Sequence, residues 1–344
     1  MNYLFYFQKL IFTILLLGYN ASAISDDNIT KNDFAKLLKK AFIVSAHDLR
    51  DDPSEYGGYL FFESSFQYIK KDNNKDYICN YKKNKPNSLF FIDHEGGSVN
   101  RINSDLQGAK NFKNLTQAGQ EEYYKKWNTD ISYLKSICMD VILSSAVDTN
   151  FGSRSFSNNL EYNLKIKKEI NTIIEKYNLI DTIKHFPGNT GKDLTCKMKY
   201  ETKDEVYICA SETLSFLKNW EELKNNDLLM KENIFLMISN YIYPQISPQT
   251  AILDLSNYTF LRKKLSYNGF LISDAISEIH FLMSNDNMIF LLSSLDLVMI
   301  IDARVAEQII ENLWTLYLNK NIEAQQLITI RKSISQKLES LKIK

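Results

Sequence analysis

The chain has 344 residues, 41 Lys and Arg balanced against 41 Asp and Glu, and a hydrophobic share of 44%. Balanced charge without a long single-sign run leaves no electrostatic footprint for nucleic acid. The length exceeds that of a small disulfide scaffold and suits one barrel or two modest domains.

At the N-terminus, Met1 to Lys9 ends in one positive charge, Leu10 to Leu17 is apolar except for Thr13, and Ala21-Ser22-Ala23 has the small-x-small form of a signal-peptidase site. Residues 1–23 are expected to be a signal peptide, with the mature chain starting near Ile24 and exported to the periplasm or beyond. An uncleaved anchor would need roughly 20 apolar residues, more than this run supplies, so no stable membrane span is expected after cleavage. In an oxidising compartment the four cysteines, Cys79, Cys138, Cys196 and Cys209, allow one or two disulfides, with buried free thiols as the alternative. No Cys-x-x-Cys spacing suggests zinc.

Eight short apolar runs follow: Ala41–Ser45, Tyr59–Phe62, Leu89–Ile92, Val141–Ser144, Thr182–His185, Phe235–Ser239, Phe270–Ser273 and Leu295–Ile300. Between them lie stretches with helical spacing, at Glu121–Ile137, Glu161–Tyr177, Glu205–Leu223, Asp286–Leu292 and Ala303–Leu318. This alternation predicts parallel strands with crossover helices, and near-continuous apolarity suits strands covered on both faces. With no Pro/Gly/Ser-rich linker, a single (β/α)8 TIM-type barrel over residues 24–344 is expected, Ala324 to Lys344 forming a closing helix. An open doubly wound sheet is the structural alternative, but no glycine fingerprint follows the first strand.

Barrel enzymes carry their chemistry at the C-terminal ends of strands. There the third run delivers Asp93 and Arg101, and the fourth delivers Asp148 and Gly152-Ser153-Arg154-Ser155-Phe156. The fifth ends in Lys184-His185-Phe186-Pro187-Gly188 and the seventh in Ser273-Asp274. A lone Asp after a strand is usually a turn former or helix cap, and a lone Lys-His pair is usually structural. Charged groups from four strand ends at one mouth are harder to explain that way.

The segment Asp93-His94-Glu95-Gly96-Gly97-Ser98-Val99-Asn100-Arg101 resembles the Asp-Gln-Glu-Gly-Gly-Arg-Val-Gln-Arg signature of family 3 β-N-acetylglucosaminidases. Ser153–Phe156, Lys184–Gly188 and Ser273–Ala275 resemble, in order, that family's Asp-Arg-Ser-Phe, Lys-His-Phe-Pro-Gly and Ser-Asp-Asp segments. Looser matches occur at Gly57–Phe62, Tyr243-Pro244 and Leu261-Arg262. The resemblance implies that Asp93, Arg101, Arg154, Lys184 and His185 bind an N-acetylglucosamine ring and that Asp274 is the nucleophile of a retaining glycosidase. It implies no cofactor or metal, a monomer, and as partner an N-acetylglucosamine-containing glycan or muropeptide.

The chain departs from that pattern at the proton donor. The family's Asp-Ser-His acid/base motif falls on Thr195 to Lys197, in a segment Asn189–Tyr200 that the family builds as a mobile loop. Asp193 and Glu201, with Asp204 and Glu205 behind them, are the nearby acids that could replace it, given burial to raise a carboxyl pKa. Ser98 replaces an Arg, and Ala275 replaces the second Asp after the nucleophile. An alternative expectation is therefore a non-catalytic descendant that binds muropeptide or wall glycan, and a further one is a different glycosidic specificity.

Overall fold

The computed structural model describes residues 29–341 apart from 47–54, 67–75, 103, 113, 150–151, 190–192, 201–202, 211–219, 222–226, 230, 232–233, 245–246, 248 and 277–283, and gives 193–210 as backbone. The expected signal peptide lies outside the described residues. In chain order the strands are β1 (Phe42–Ser45), β2 (Gly58–Phe61), β3 (Leu89–Gly96), β4 (Val99–Asn100), β5 (Val141–Leu143), β6 (Ile180–Phe186), β7 (Asp193–Tyr200), β8 (Lys203–Ala210), β9 (Phe235–Ile238), β10 (Phe270–Ser273) and β11 (Val298–Met299).

Eight of these are parallel and run in the order β10, β9, β6, β5, β3, β2, β1, β11. A parallel bridge between Ile272 and Leu297 and the Ser273 N–H donating to the Leu297 carbonyl at 3.1 Å bring the last strand back to the first. The result is a nearly closed barrel wrapped by helices, of the (β/α)8 type, and each of the eight apolar runs supplies one strand.

Side-chain parity divides the core. Ile43, Leu60, Phe91, Val141, Leu143, Ile180, Phe235, Met237, Phe270, Ile272, Leu297 and Met299 form one buried cluster inside the barrel. Their alternates, such as Phe42, Val44, Phe90, Ile92, Ile142, Leu236, Leu271 and Val298, join the larger cluster between strands and helices. Because successive strand residues face opposite sides, β3 carries its inward series Phe91, Asp93, Glu95 to the mouth while His94 turns outward. The same parity takes Phe270 and Ile272 to Asp274.

The outer helices follow from spacing and caps. In Gln117–Ser136 the buried residues Tyr123, Trp127, Ile131 and Leu134 recur at helical intervals, and Thr116 caps its start by accepting the Gly119 N–H at 3.2 Å. The last helix, Ile322–Glu339, buries Arg331, which donates to the carbonyls of Leu292 at 3.1 Å, Leu295 at 2.9 Å and Asp296 at 3.0 Å. The first is an orphan carbonyl of the last turn of the helix Asn285–Ser294, and the other two belong to its C-cap and the residue after it.

One expected helix is overturned. The start of Glu205–Leu223 is strand β8, paired antiparallel with β7 from Asp193 opposite Ala210 to Tyr200 opposite Lys203. Val206, Tyr207 and Ile208 favour a pleated strand once a partner is beside them, and helical spacing over so short a span does not compete. The segment from Asp193 to Tyr200, expected as loop, is the other half of this hairpin.

A disulfide joins Cys79 to Cys138 with Cα atoms 5.2 Å apart, tying the helix Tyr77–Lys83 to the end of Gln117–Ser136. In the hairpin register Cys196 faces Tyr207 and Cys209 faces Leu194. The bridge spans 59 residues of sequence, so a loop-closure argument assigns it about 4 kcal/mol. Replacing both Cys79 and Cys138 by Ser is expected to lower the urea-unfolding free energy by that amount, and an unchanged midpoint would contradict it.

Candidate active site

Five charged side chains form a chain of alternating sign across the mouth. Arg154, on the short turn Gly152–Arg154 after β5, donates from Nε to Glu95 Oε2 at 2.8 Å and from a terminal nitrogen to Oε1 at 2.6 Å. Lys184 Nζ lies 2.6 Å from Glu95 Oε1 and donates to Asp93 Oδ1 at 2.8 Å and to the Leu143 carbonyl at 3.1 Å. Arg101 completes the series 3.9 Å from Asp93 Oδ2.

Burial inside this network sets the ionisation. Burial alone would raise the Glu95 pKa, yet Lys184 and the two-toothed Arg154 contact hold it down at about 2. Burial would lower the Lys184 pKa, and Asp93 and Glu95 more than offset it. Both stay charged at neutral pH.

Arg101 differs from Arg154 in how its donors are used. Its buried Nε has no hydrogen-bond partner among the described residues, and its guanidinium lies 5.9 Å from the Phe62 ring centre. A hairpin brings it there. β3 turns through Gly96 and Gly97, both at positive φ, into β4, and a Cβ on Gly97 would sit 2.7 Å from the Gly108 Cα. At the end of β4, Asn100 donates to Ser104 Oγ at 2.9 Å and to its carbonyl at 2.8 Å, and Ser104 Oγ donates to Asp130 Oδ2 at 2.6 Å. Outward-facing His94 shares that Asp130 oxygen at 3.0 Å and packs on Trp127, so it braces the hairpin from behind.

A second set of contacts runs from Asp148 through His185 to Asp274. The pairing of β6 with β9 slips between Lys184 and Phe186, which lets two consecutive residues both serve the mouth. His185 Nδ1 lies 2.7 Å from Asp148 Oδ2, and its Nε2 lies 3.9 Å from Asp274 Oδ2. Asp274 Oδ1 accepts the Ala275 N–H at 2.7 Å, which turns Oδ2 toward the imidazole. The corner after β6 is clamped by Trp220 donating to the Pro187 carbonyl at 2.8 Å and Tyr243 donating to Asn189 Oδ1 at 3.0 Å. Behind it, buried Lys167 holds Asp181 at 2.9 Å and the Thr182 carbonyl at 2.7 Å.

Asp93, Arg101, Arg154, Lys184, His185 and Asp274 therefore meet at one end of the barrel. Asp193, Asp204 and Glu205 lie on the backbone of the hairpin, as do Thr195 and Lys197, while Glu201 is outside the described residues. Sequence reasoning passed over Glu95, although strand parity two residues beyond Asp93 marks it, and it gave Asp148 no role. A separate cavity of about 290 Å³ opens at the opposite end of the barrel beside Lys40 and Lys82, whose ammonium groups are paired with Glu339 and Asp140.

Comparison with known proteins places this geometry in context. The pattern described as the glycosyl hydrolase family 3 N terminal domain matches residues 56–334. A β-hexosaminidase of Idiomarina loihiensis is 25% identical over 205 residues, covering 55% of this chain and 58% of the relative. One from Shewanella frigidimarina is 22% identical over 246 residues, covering 64% and 66%. The chain thus spans less than two thirds of the length of these two curated relatives. The solved β-N-acetylglucosaminidase of Thermotoga maritima superposes with a TM-score of 0.68 at 18% identity, over 87% of this chain and 67% of that one, a likeness of fold.

Glu95 makes a prediction about acid stability. Its folded pKa, about 2, lies below the ordinary 4.5, so its contribution is complete above about pH 4.5 and is lost as pH falls toward about 2, worth roughly 3 kcal/mol. Glu95→Gln is expected to flatten that acid limb and, by leaving Lys184 and Arg154 short of a counter-charge, to lower neutral-pH stability by about 3–5 kcal/mol. Urea unfolding at a series of pH values checks both, and a parallel acid limb in the variant would contradict the assignment.

Proposed function

The chain belongs to glycoside hydrolase family 3, and from that premise we propose that it removes β-linked N-acetylglucosamine from peptidoglycan-derived glycans by a retaining mechanism. The observation that carries this reading is Asp274: a carboxylate at a strand end, one oxygen held by a backbone N–H and the other directed into a mouth of paired charges. In the proposed reaction Oδ2 attacks the anomeric carbon as the glycosidic oxygen leaves, and water then releases the sugar from the glycosyl-enzyme. Asp93, Arg101, Arg154, Lys184 and His185 bind the ring, with Arg101 Nε having no hydrogen-bond partner among the described residues. Charge-assisted hydrogen bonds of this kind suit hydroxyls that both donate and accept.

His185 is not assigned the proton donor. Its Nε2 is 3.9 Å from the Asp274 carboxylate, closer than the roughly 5–5.5 Å that separates the two carboxyl groups of a retaining pair. Thr195 and Lys197 stand where the family's acid/base Asp and His align, on a strand of the hairpin. That substitution favours a second reading, a non-catalytic descendant that keeps the sugar site and binds muropeptide or wall glycan. The apolar leader ending in Ala21-Ser22-Ala23 and the Cys79–Cys138 bridge support export in either case.

Asp274→Asn is expected to abolish hydrolysis of a chromogenic N-acetylglucosaminide while N-acetylglucosamine binding persists, and wild-type turnover in the variant would place the nucleophile elsewhere. Binding without any turnover by the unaltered chain would select the non-catalytic reading.

Loss of general-acid help costs on the order of 10²–10⁴-fold, and it weighs on a sugar leaving group far more than on a phenolate. The unaltered chain should therefore favour aryl glycosides over natural disaccharides by some part of that factor. Thr195→Asp combined with Lys197→His should narrow the gap. Equal kcat/KM on both substrate types would show that a substitute acid already acts.

A further inference from the structure

Asp148 is fully enclosed in the segment after β5, and both of its oxygens are committed to the corner that follows β6. Oδ1 accepts two backbone N–H groups, from His185 at 3.1 Å and Asn189 at 2.9 Å. Oδ2 meets Nδ1 of the His185 ring at 2.7 Å. Its own backbone is fixed in turn, since its carbonyl accepts from Ser155 Oγ at 2.7 Å and from Asn163 Nδ2 at 2.9 Å.

An ionised carboxylate can only accept hydrogen bonds, so the ring nitrogen it meets must carry the proton. Nε2, on the other side of the ring, then faces Asp274 as an acceptor when the imidazole is neutral and as a donor when it is protonated. We propose that Asp148 is a positioning residue that fixes the tautomer and orientation of His185, and through them the hydrogen bond that Nε2 can offer to a bound sugar hydroxyl. A carboxylate that orients an imidazole in this way is a recurring device of hydrolytic sites, where the matching amide gives the wrong tautomer. The effect on ligand rests on the proposed sugar site, whereas the tautomer itself does not.

The two backbone donors on Oδ1 make Asp148→Asn a discriminating variant. They require the amide oxygen to occupy the Oδ1 position, so the NH₂ group must face Nδ1 and the ring proton must move to Nε2. Backbone clamping survives and the tautomer reverses, which separates a positioning role from a merely structural one.

The test is ¹⁵N NMR of the histidine-labelled full chain, with His185→Gln assigning the ring signals, beside calorimetric titration with N-acetylglucosamine. The expected results are a protonated Nδ1 in the unaltered protein and a bare Nδ1 with protonated Nε2 in Asp148→Asn. Binding should weaken by about 10–100-fold, by analogy with the loss seen when a metal-ligating histidine is deprived of the carboxylate that orients it. Asp148→Asn should add no further loss in a His185→Gln background, because it acts through that ring.

A bare Nδ1 in the unaltered protein would overturn the proposal, and this holds even if Asp148→Asn fails to fold. So would an unswitched tautomer in a folded variant, or a binding loss that persists in full without His185. A protonated Nδ1 in a protein that does not bind N-acetylglucosamine would uphold the tautomer assignment and count against the sugar site alone.

Discussion

The site depends on one ammonium group, Lys184 Nζ, wedged between the carboxylates of Asp93 and Glu95. Asp93 and Glu95 share the inner face of one strand, and the cation between them offsets the repulsion of two like charges held so close. The lysine side chain is itself 2% exposed, so its charge would be costly to bury alone. Arg154 closes the inner end by gripping Glu95 with two hydrogen bonds, and Arg101 stands at the outer end, 3.9 Å from Asp93, with its Nε lacking a hydrogen-bond partner among the described residues. The outcome is a rigid inner pair and a less committed outer one, which is the gradation expected of a site assembled before a polar ligand arrives.

The fold supplies this arrangement through parity and one register slip. Inward positions along β3 and β10 are apolar until the strands near their C-terminal ends, where the same parity presents Asp93, Glu95 and Asp274, and along β6 it runs from Ile180 through buried Thr182 to Lys184. The slip between β6 and β9 adds His185 to the same mouth as its neighbour Lys184, so one strand end feeds both the charge chain and the Asp148–His185–Asp274 line. Supports converge on that strand from behind and above: Lys167 beneath it, Trp220 and Tyr243 at the corner. Structural support and the candidate site therefore share the segment from Asp181 to Asn189.

Much of this was legible in the sequence, for physical reasons. Strands buried on both faces must read as apolar runs, so the eight runs mark a parallel sheet covered by helices, and the missing glycine fingerprint after the first run favours the barrel over an open doubly wound sheet. Charged residues just past those runs were visible as well. Glu95 was harder to see, because it sits in a motif beside more familiar residues and its importance comes from Lys184, 89 positions away in sequence. The tautomer set by Asp148 is invisible without coordinates. The segment after Asn189 misled because Val206 to Cys209 has both β-branched content and approximate helical spacing, and the hairpin partner that decides between them is a tertiary fact.

The central claim is that the mouth between Asp93 and Asp274 performs covalent glycoside chemistry with Asp274 Oδ2 as the nucleophile. The most direct measurement is mass spectrometry of the full chain after exposure to an activated fluorinated N-acetylglucosaminyl donor, which slows hydrolysis of a glycosyl-enzyme enough to trap it. The account predicts one sugar mass added per chain, located by peptide mapping to Asp274. Absence of a covalent adduct, or an adduct mapped to a different carboxylate, would contradict it.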